Sequence, residues 1–262
     1  MKKINLEYLN PFGAGILCGS MPNELIERFE NLSNEVLDKK ITEWNNYLVG
    51  RIHDEWKIPD LLYKDYKVDT FIDLAFYKYA ESYYSNFRSI INLVLRLPQK
   101  EFEKKGYDIQ ITRGDGWVNS MKEGEYNPTH QHTNCDLSSI FYLDDYQGDK
   151  PRDFKRSDTN KDGVSDLGGV TEFIMGSYMN GLIPRKTAKG MSGSTGFPQL
   201  SHFNVAPKKG DFMIFPSWLM HSVYPFIGKG ERVSISVNAG YKLLIGDDKI
   251  LKFAMSQEKW KI

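Results

Sequence analysis

The sequence has few cysteines, few histidines, no excess of either charge and no long apolar run. Its two cysteines, Cys18 and Cys135, cannot form a disulfide framework, so a reducing cytoplasm fits best. The 34 Lys and Arg residues are balanced by 34 Asp and Glu. A protein that coats nucleic acid or an anionic membrane needs a basic excess to neutralise phosphates, so nucleic acid is a disfavoured partner. The short basic groups, Lys104–Lys105, Lys208–Lys209 and Arg185, Lys186 and Lys189, read as solvated loops or helix ends. No apolar stretch reaches the ~20 residues that span a bilayer, and no membrane association is expected. The opening MKKINLEYLNPF lacks the apolar stretch of a secretory signal.

What is present is a chain of 262 residues, 40% hydrophobic and 13% aromatic, ample for a buried core. It reads as one domain over 1–262, with a mainly helical part to about residue 105 and a β-rich part over about 106–245. Helical spacing appears in MPNELIERFENLSNEVLDK, where Leu25, Ile26, Phe29, Leu32, Val36 and Leu37 share a face and Pro22 suits the first turn. A second helix is expected over Asn46–Trp56, stopping at Pro59. A third is expected between Thr70 and Pro98, with a broad apolar face.

After Gly106 the texture changes. YDIQITRGDGWVNSM, LSSIFYL, GVTEFIMG, DFMIFPSW, HSVYPFI and RVSISVNAGY are short runs rich in Val, Ile, Phe and Tyr, separated by turn residues. Several strands at this spacing predict an all-β sandwich or barrel. Residues 146–169 and 184–200, rich in Gly, Ser, Lys and Asp, read as long loops beside it; loops of that length are usually functional or mobile.

The histidines are His53, His130, His132, His202 and His221. His130 and His132 form H-x-H, and residues two apart on a strand share a face. Asp136 follows, and His221 stands between two apolar strands. Imidazole and carboxylate together suit Fe(II), Zn(II), Mn(II) or Ni(II). Arg232 enters a strand whose alternate positions are apolar. A buried guanidinium needs an anionic partner, and its fork matches a carboxylate. Ser234 shares its face and can add a hydroxyl hydrogen bond. The pair reads as a pocket for a dicarboxylate beside a metal.

These elements resemble the Fe(II)/2-oxoglutarate-dependent oxygenases, in particular a group common in phages and marine bacteria. The matching parts are EYNPTHQH with LSSIFYL, then GGVTEF, PKKGDFMIFPSWLMHSVYPF and ERVSISVN. The upstream NNYLVGRIHDEW and WVNSM are also similar, so the resemblance spans roughly residues 10–245. It implies an α+β chain built on a double-stranded β-helix with N-terminal flanking helices. It also implies that Arg232 and Ser234 hold the far carboxylate of 2-oxoglutarate while its other end chelates iron. The expected reaction couples decarboxylation of 2-oxoglutarate to oxidation of a C–H bond, with hydroxylation as the default outcome. Tyr142 and Asn119 are candidates to hydrogen-bond the cosubstrate. The substrate is expected to be a small molecule, a nucleotide or a peptide side chain.

The sequence departs from the superfamily's usual His-x-Asp/Glu…His, because His132 fills the acidic position. His130, His132 and His221 are taken as the ligands. Asp136 is kept as a fourth ligand or a group behind them, which would need a turn through Thr133–Cys135. H-x-H-x3-D with Gly210 and Pro216 before His221 is also similar to cupin metal motifs, which need no 2-oxoglutarate. That alternative leaves Arg232 unexplained. A non-catalytic barrel scaffold is the third reading.

Asp158, Asn160, Asp162 and Asp166 with Gly163 fall at the spacing of a calcium loop, but position 12 is Gly169 rather than a bidentate Glu. Calcium there would order a loop. His53 reads as a structural residue in a helical region, and His202 as a residue just before a strand. A Cys135 thiolate ligand is disfavoured, and Trp117 and Trp218 read as core.

Overall fold

The computed structural model describes residues 6–9, 15–86, 107–144, 168–174, 202–226, 230–245 and 249–251. The calcium-loop residues Asp158, Asn160, Asp162 and Asp166 lie outside the described residues. So do the loop at 184–200, nearly all of the loop at 146–169 and the chain from Phe87 to Pro98.

The elements run in chain order as β1 (Leu6–Leu9), β2 (Ile16–Ser20), α1 (Asn23–Lys39), β3 (Asp54–Lys57), α2 (Asp60–Asp65) and α3 (Asp69–Asn86). The β-rich part follows as β4 (Tyr107–Met121), β5 (Asn127–His130), β6 (Leu137–Tyr142), β7 (Thr171–Ile174), β8 (His202–Val205) and β9 (Asp211–Pro216). It closes with β10 (Met220–Val223), β11 (Arg232–Ile245) and β12 (Lys249–Leu251). Eight strands form one sheet in the order β1-β2-β9-β6-β11-β4-β3, with β12 also paired to β11, and four form a second, β5-β10-β7-β8. The pairings are antiparallel. Phe173 of the small sheet packs edge-on to Phe215 of the large one, ring centroids 5.0 Å apart, so the sheets face each other across a common interior. Two facing antiparallel sheets make the double-stranded β-helix that the resemblance implies.

Period-two alternation divides the large sheet. Leu17, Val118, Leu137, Phe141, Phe212, Ile214, Ile235 and Val237 belong to one buried cluster with the apolar residues of α1 and α3, including Phe29, Leu32, Ile72 and Phe76. Their sequence neighbours Ile16, Ile140, Tyr142, Met213 and Phe215 form a second cluster with Phe173, between the sheets. Each strand therefore has an outward face under helices and an inward face toward the cavity.

Helix α1 matches its periodicity: Leu25, Ile26, Phe29, Leu32 and Val36 are buried, Pro22 stands at the N-cap with φ −68°, and Lys40 closes the helix in the left-handed region at φ 46°. Gly116 lets α2 approach β4, because a Cβ there would lie 2.0 Å from the Tyr63 hydroxyl.

Among the described residues up to Asn86, β1, β2 and β3 join the large sheet beside the three helices. The helix expected over Asn46–Trp56 is instead one 3-10 turn at Asn45–Tyr47 followed by β3. Pairing of β3 with the edge of β4, from Asp54↔Ser120 to Lys57↔Trp117, overrides the local pattern. Pro59 does not end a helix but begins one, as the N-cap of α2. His202 opens β8 rather than preceding a strand. Among the described residues no helix is long and apolar enough to cross a membrane.

Candidate metal centre and cosubstrate pocket

His130 is the last residue of β5 and pairs in register with His221 of β10. His132 lies past the end of β5, so strand alternation does not bring it to the same point. The loop after β5 does so instead. The His132 N–H donates to the Ser217 carbonyl at 2.9 Å, and the Ser217 N–H donates to the Asp136 carbonyl at 3.0 Å. Asn134 takes a left-handed conformation at φ 61° within that loop. The chain after β5 is thus tied to the turn between β9 and β10, and one ligand atom from each of His130, His132 and His221 lies within 4.8 Å of the others.

The Nδ1 of His130 donates to the Pro128 carbonyl at 2.7 Å, and the Nδ1 of His221 donates to the Leu219 carbonyl at 2.9 Å. Their Nε2 lone pairs are left for a ligand. The Nε2 atoms of His132 and His221 are 3.2 Å apart, with the rings stacked at 7°. Burial lowers the pKa of all three imidazoles and takes His132 down to about 3. Near neutral pH the three are uncharged, the state a metal ion requires.

Asp136 is not part of this cluster, which corrects its assignment as a ligand. The turn through Thr133–Cys135 exists, but the Asp136 carboxylate accepts the Tyr241 N–H at 3.1 Å and is committed to β11. Cys135 is buried, with its thiol pushed up to about 12, and stands outside the cluster. His53 lies ahead of β3 rather than in a helix, and its ring is paired with Glu125.

Arg232 and Ser234 open the inward face of β11 and line the same pocket as the three histidines. Arg232 is 4% exposed. Its Nε donates to the Gly169 carbonyl at 3.1 Å and an Nη donates to Thr171 Oγ1 at 3.3 Å. Those acceptors are neutral oxygens. Burial lowers the guanidinium's pKa, and attraction from Tyr142 and Asp144 works against that. A buried cation set over a pocket with neutral partners favours an incoming carboxylate.

Tyr142 supports Arg232 rather than lining the pocket. Its ring lies 5.2 Å from the guanidinium carbon, and its hydroxyl shares a 2.8 Å hydrogen bond with Thr171 Oγ1. Asn119 lines the pocket, but its amide is occupied: Trp117 Nε1 donates to its Oδ1 at 3.1 Å, and its Nδ2 donates to Ser236 Oγ at 3.2 Å. Trp117 is buried as expected, and it also stacks on His132 at 5.7 Å. Trp218, expected in the core, is 51% exposed.

Leu48, Val49, Ile52 and Asn127 also line the pocket; they fall within NNYLVGRIHDEW and EYNPTHQH but none was singled out as a site residue. The first three lie in the segment expected to be helical, where no chemical signal marked them. Ser236 and Asn238 had a signal, because alternation in RVSISVN puts them on the face of Arg232 and Ser234.

Residues 115–238 match the model of the family described as "Putative 2OG-Fe(II) oxygenase". No curated protein matches the sequence. Among solved structures, a Pseudomonas putida prolyl-4-hydroxylase is 14% identical, with 87% of this chain and 94% of that one covered and a TM-score of 0.46. HygX from Streptomyces hygroscopicus, solved with nickel and 2-oxoglutarate bound, is 13% identical, with 87% and 82% covered and a TM-score of 0.43. The matched segment contains His130, His132, His221, Arg232 and Ser234, and over that segment the chain is similar to the 2OG-Fe(II) oxygenases.

Proposed function

We propose that this protein is an Fe(II)- and 2-oxoglutarate-dependent oxygenase, a hydroxylase in which His130, His132 and His221 hold Fe(II) through Nε2, while Arg232 and Ser234 hold the far carboxylate of 2-oxoglutarate. The observation that carries the reading is the shared pocket: three neutral imidazoles and a buried guanidinium line one cavity between the sheets. When bound, Fe(II) with 2-oxoglutarate and dioxygen supplies the oxidant, and 2-oxoglutarate leaves as succinate and carbon dioxide.

The chain's own residues position and exclude. Three ligands leave open positions for a chelating cosubstrate. Arg232 is aimed by Thr171, Gly169 and the Tyr142 ring, so its fork is organised before the dicarboxylate arrives. Asn119 holds Trp117 against His132, which keeps the ligand wall in place. Leu48, Val49 and Ile52 give the pocket an apolar flank that is open to solvent at Val49, where a substrate can approach. The substrate class is a small molecule, a nucleotide or a peptide side chain. A reducing cytoplasm fits a chain with only two cysteines.

The test is anaerobic titration of the apo-protein with Fe(II) and then 2-oxoglutarate, followed by visible absorption. A charge-transfer band is expected, weakened in Arg232→Ala and absent in His221→Ala. Stoichiometric metal binding with no band would remove the cosubstrate assignment. Hydroxylation itself is read by mass spectrometry, as a substrate that gains one oxygen atom only when 2-oxoglutarate is supplied.

A further inference from the structure

The three imidazoles are not held alike. His130 and His221 each spend Nδ1 on the backbone carbonyl two residues earlier, at 2.7 and 2.9 Å. That bond fixes the ring and its tautomer and leaves Nε2 for a metal. His132 also turns Nε2 toward the shared point, 3.2 Å from Nε2 of His221. Among the described residues no backbone carbonyl does for its Nδ1 what Pro128 and Leu219 do for the other two.

A buried layer with unspent polar atoms lies nearby. Asn238 follows Arg232, Ser234 and Ser236 on the inward face of β11 and pairs across the sheet with Ser138 of β6. Asn238 is 9% exposed and Ser138 is 0% exposed. Asn238 Oδ1 and Ser138 Oγ have no hydrogen-bond partner among the described residues. Orphaned polar atoms are rare in protein interiors, and two in one cross-strand pair demand a reason. The register of β11 on β4 slips between Val237 and Ala239, which is at Asn238. Such irregularities re-aim side chains beside active sites. Asn238 also stands beside the loop that carries His132: the Asp136 N–H at the end of that loop donates to the carbonyl of the next residue, Ala239, at 3.0 Å, and Ser236, two residues earlier on the same face, lines the pocket with His132.

We infer that Asn238 is the positioning residue of His132: its amide oxygen accepts the Nδ1–H of that imidazole when a metal ion takes Nε2. The inference rests on the triad being the metal site. It assigns to a side-chain carbonyl the task that backbone carbonyls perform for the other two ligands. An amide fixes the tautomer without adding negative charge, so the ion keeps its full attraction for an anionic cosubstrate. The Ser138 hydroxyl, in the same layer, is the polar group nearest in register to steady that amide.

Co(II) binding to the full chain, without 2-oxoglutarate, tests this by calorimetry and visible absorption. Asn238→Leu should weaken Co(II) about ten- to a hundredfold. Asn238→Asp should bind at least as tightly as the wild type, because a carboxylate accepts the same Nδ1–H and raises ligand basicity. A variant that fails to fold does not block the test, since the wild type alone gives a second measurement. With Zn(II) bound, long-range nitrogen–proton NMR should show a slowly exchanging proton on His132 Nδ1. Equal Co(II) affinity in wild type, Asn238→Leu and Asn238→Asp, or a freely exchanging Nδ1 proton on His132, would overturn the inference while leaving the triad intact. Co(II) binding indifferent to His221→Ala would overturn the triad itself.

Discussion

Along β11 the outward side chains Val233, Ile235, Val237 and Ala239 pack under the helices, whereas the inward ones, Arg232, Ser234, Ser236 and Asn238, are polar and buried. The two rows share one backbone and one set of ladder hydrogen bonds. The outward row gains free energy by leaving water, about 1.5–3 kcal/mol for each large aliphatic side chain. The inward row costs free energy unless its groups find partners. A polar row is kept in the interior where a ligand completes it, so the comparison separates what holds the fold from what the fold presents. A slip of one residue in register would exchange the rows, which is why pairing on both sides of β11 matters to the site.

The sharpest way to break the comparison is on the ligand side. His221→Ala removes one of three Nε2 donors and should abolish the chelate band while leaving the circular dichroism of the sheets unchanged. If the band persists, the inward face is not the metal site. Arg232→Ala should come next. Loss of a buried charge-assisted contact costs about 2–5 kcal/mol, read as a weaker 2-oxoglutarate affinity at unchanged Fe(II) affinity.

On the outward face the signs should reverse. Ile235 is fully buried under the helices, and Ile235→Ala should lower unfolding free energy by about 2–4 kcal/mol. Urea titration reads that loss. The affinity of the folded protein for 2-oxoglutarate should stay unchanged, and a parallel loss of affinity would mean that the two faces are coupled. Ser234→Ala should cost about 1 kcal/mol in 2-oxoglutarate binding, a smaller effect than that of its neighbour Arg232.

Glu55 sharpens the contrast from the edge of the sheet. It pairs with Asn119 in β4, is fully buried, and has both carboxyl oxygens without a partner among the described residues. Burial, with the nearby Glu125, raises its pKa from 4.5 to about 8. The folded protein therefore holds the proton more tightly than the unfolded chain does. Its contribution to stability is fully present below about 4.5 and is lost as pH rises through about 8. The wild-type melting temperature should accordingly fall faster than that of Glu55→Gln between those two values. Parallel melting curves across that range would show that Glu55 titrates normally.

Much of the site was legible because its chemistry is concentrated in rare residue types. The chain has five histidines, and the H-x-H pair with His221, taken as ligands from the sequence, are the three that meet. Arg232 and Ser234 were legible because a cation and a hydroxyl interrupt an apolar alternation. The Asp136 assignment failed for a physical reason: spacing along the chain shows reach but not direction, and its carboxylate turns to the Tyr241 N–H. Leu48, Val49 and Ile52 were not legible because an aliphatic side chain on a pocket wall has the same chemistry as one in a core.

Sequence alone determined the strand periodicity, the amphipathic face of α1 and the residue types able to bind a metal and a dicarboxylate. These depend on side-chain chemistry and spacing within a short stretch. Tertiary structure decided which histidines converge, because His132 reaches the others only through hydrogen bonds between the loop after β5 and the turn after β9. It also turned Asp54–Lys57 into a strand, since the edge of β4 offers hydrogen bonds that an isolated helical turn cannot match. It left Asn238 Oδ1 and Ser138 Oγ without a partner among the described residues in one buried layer, which the register of β11 on β6 brings about.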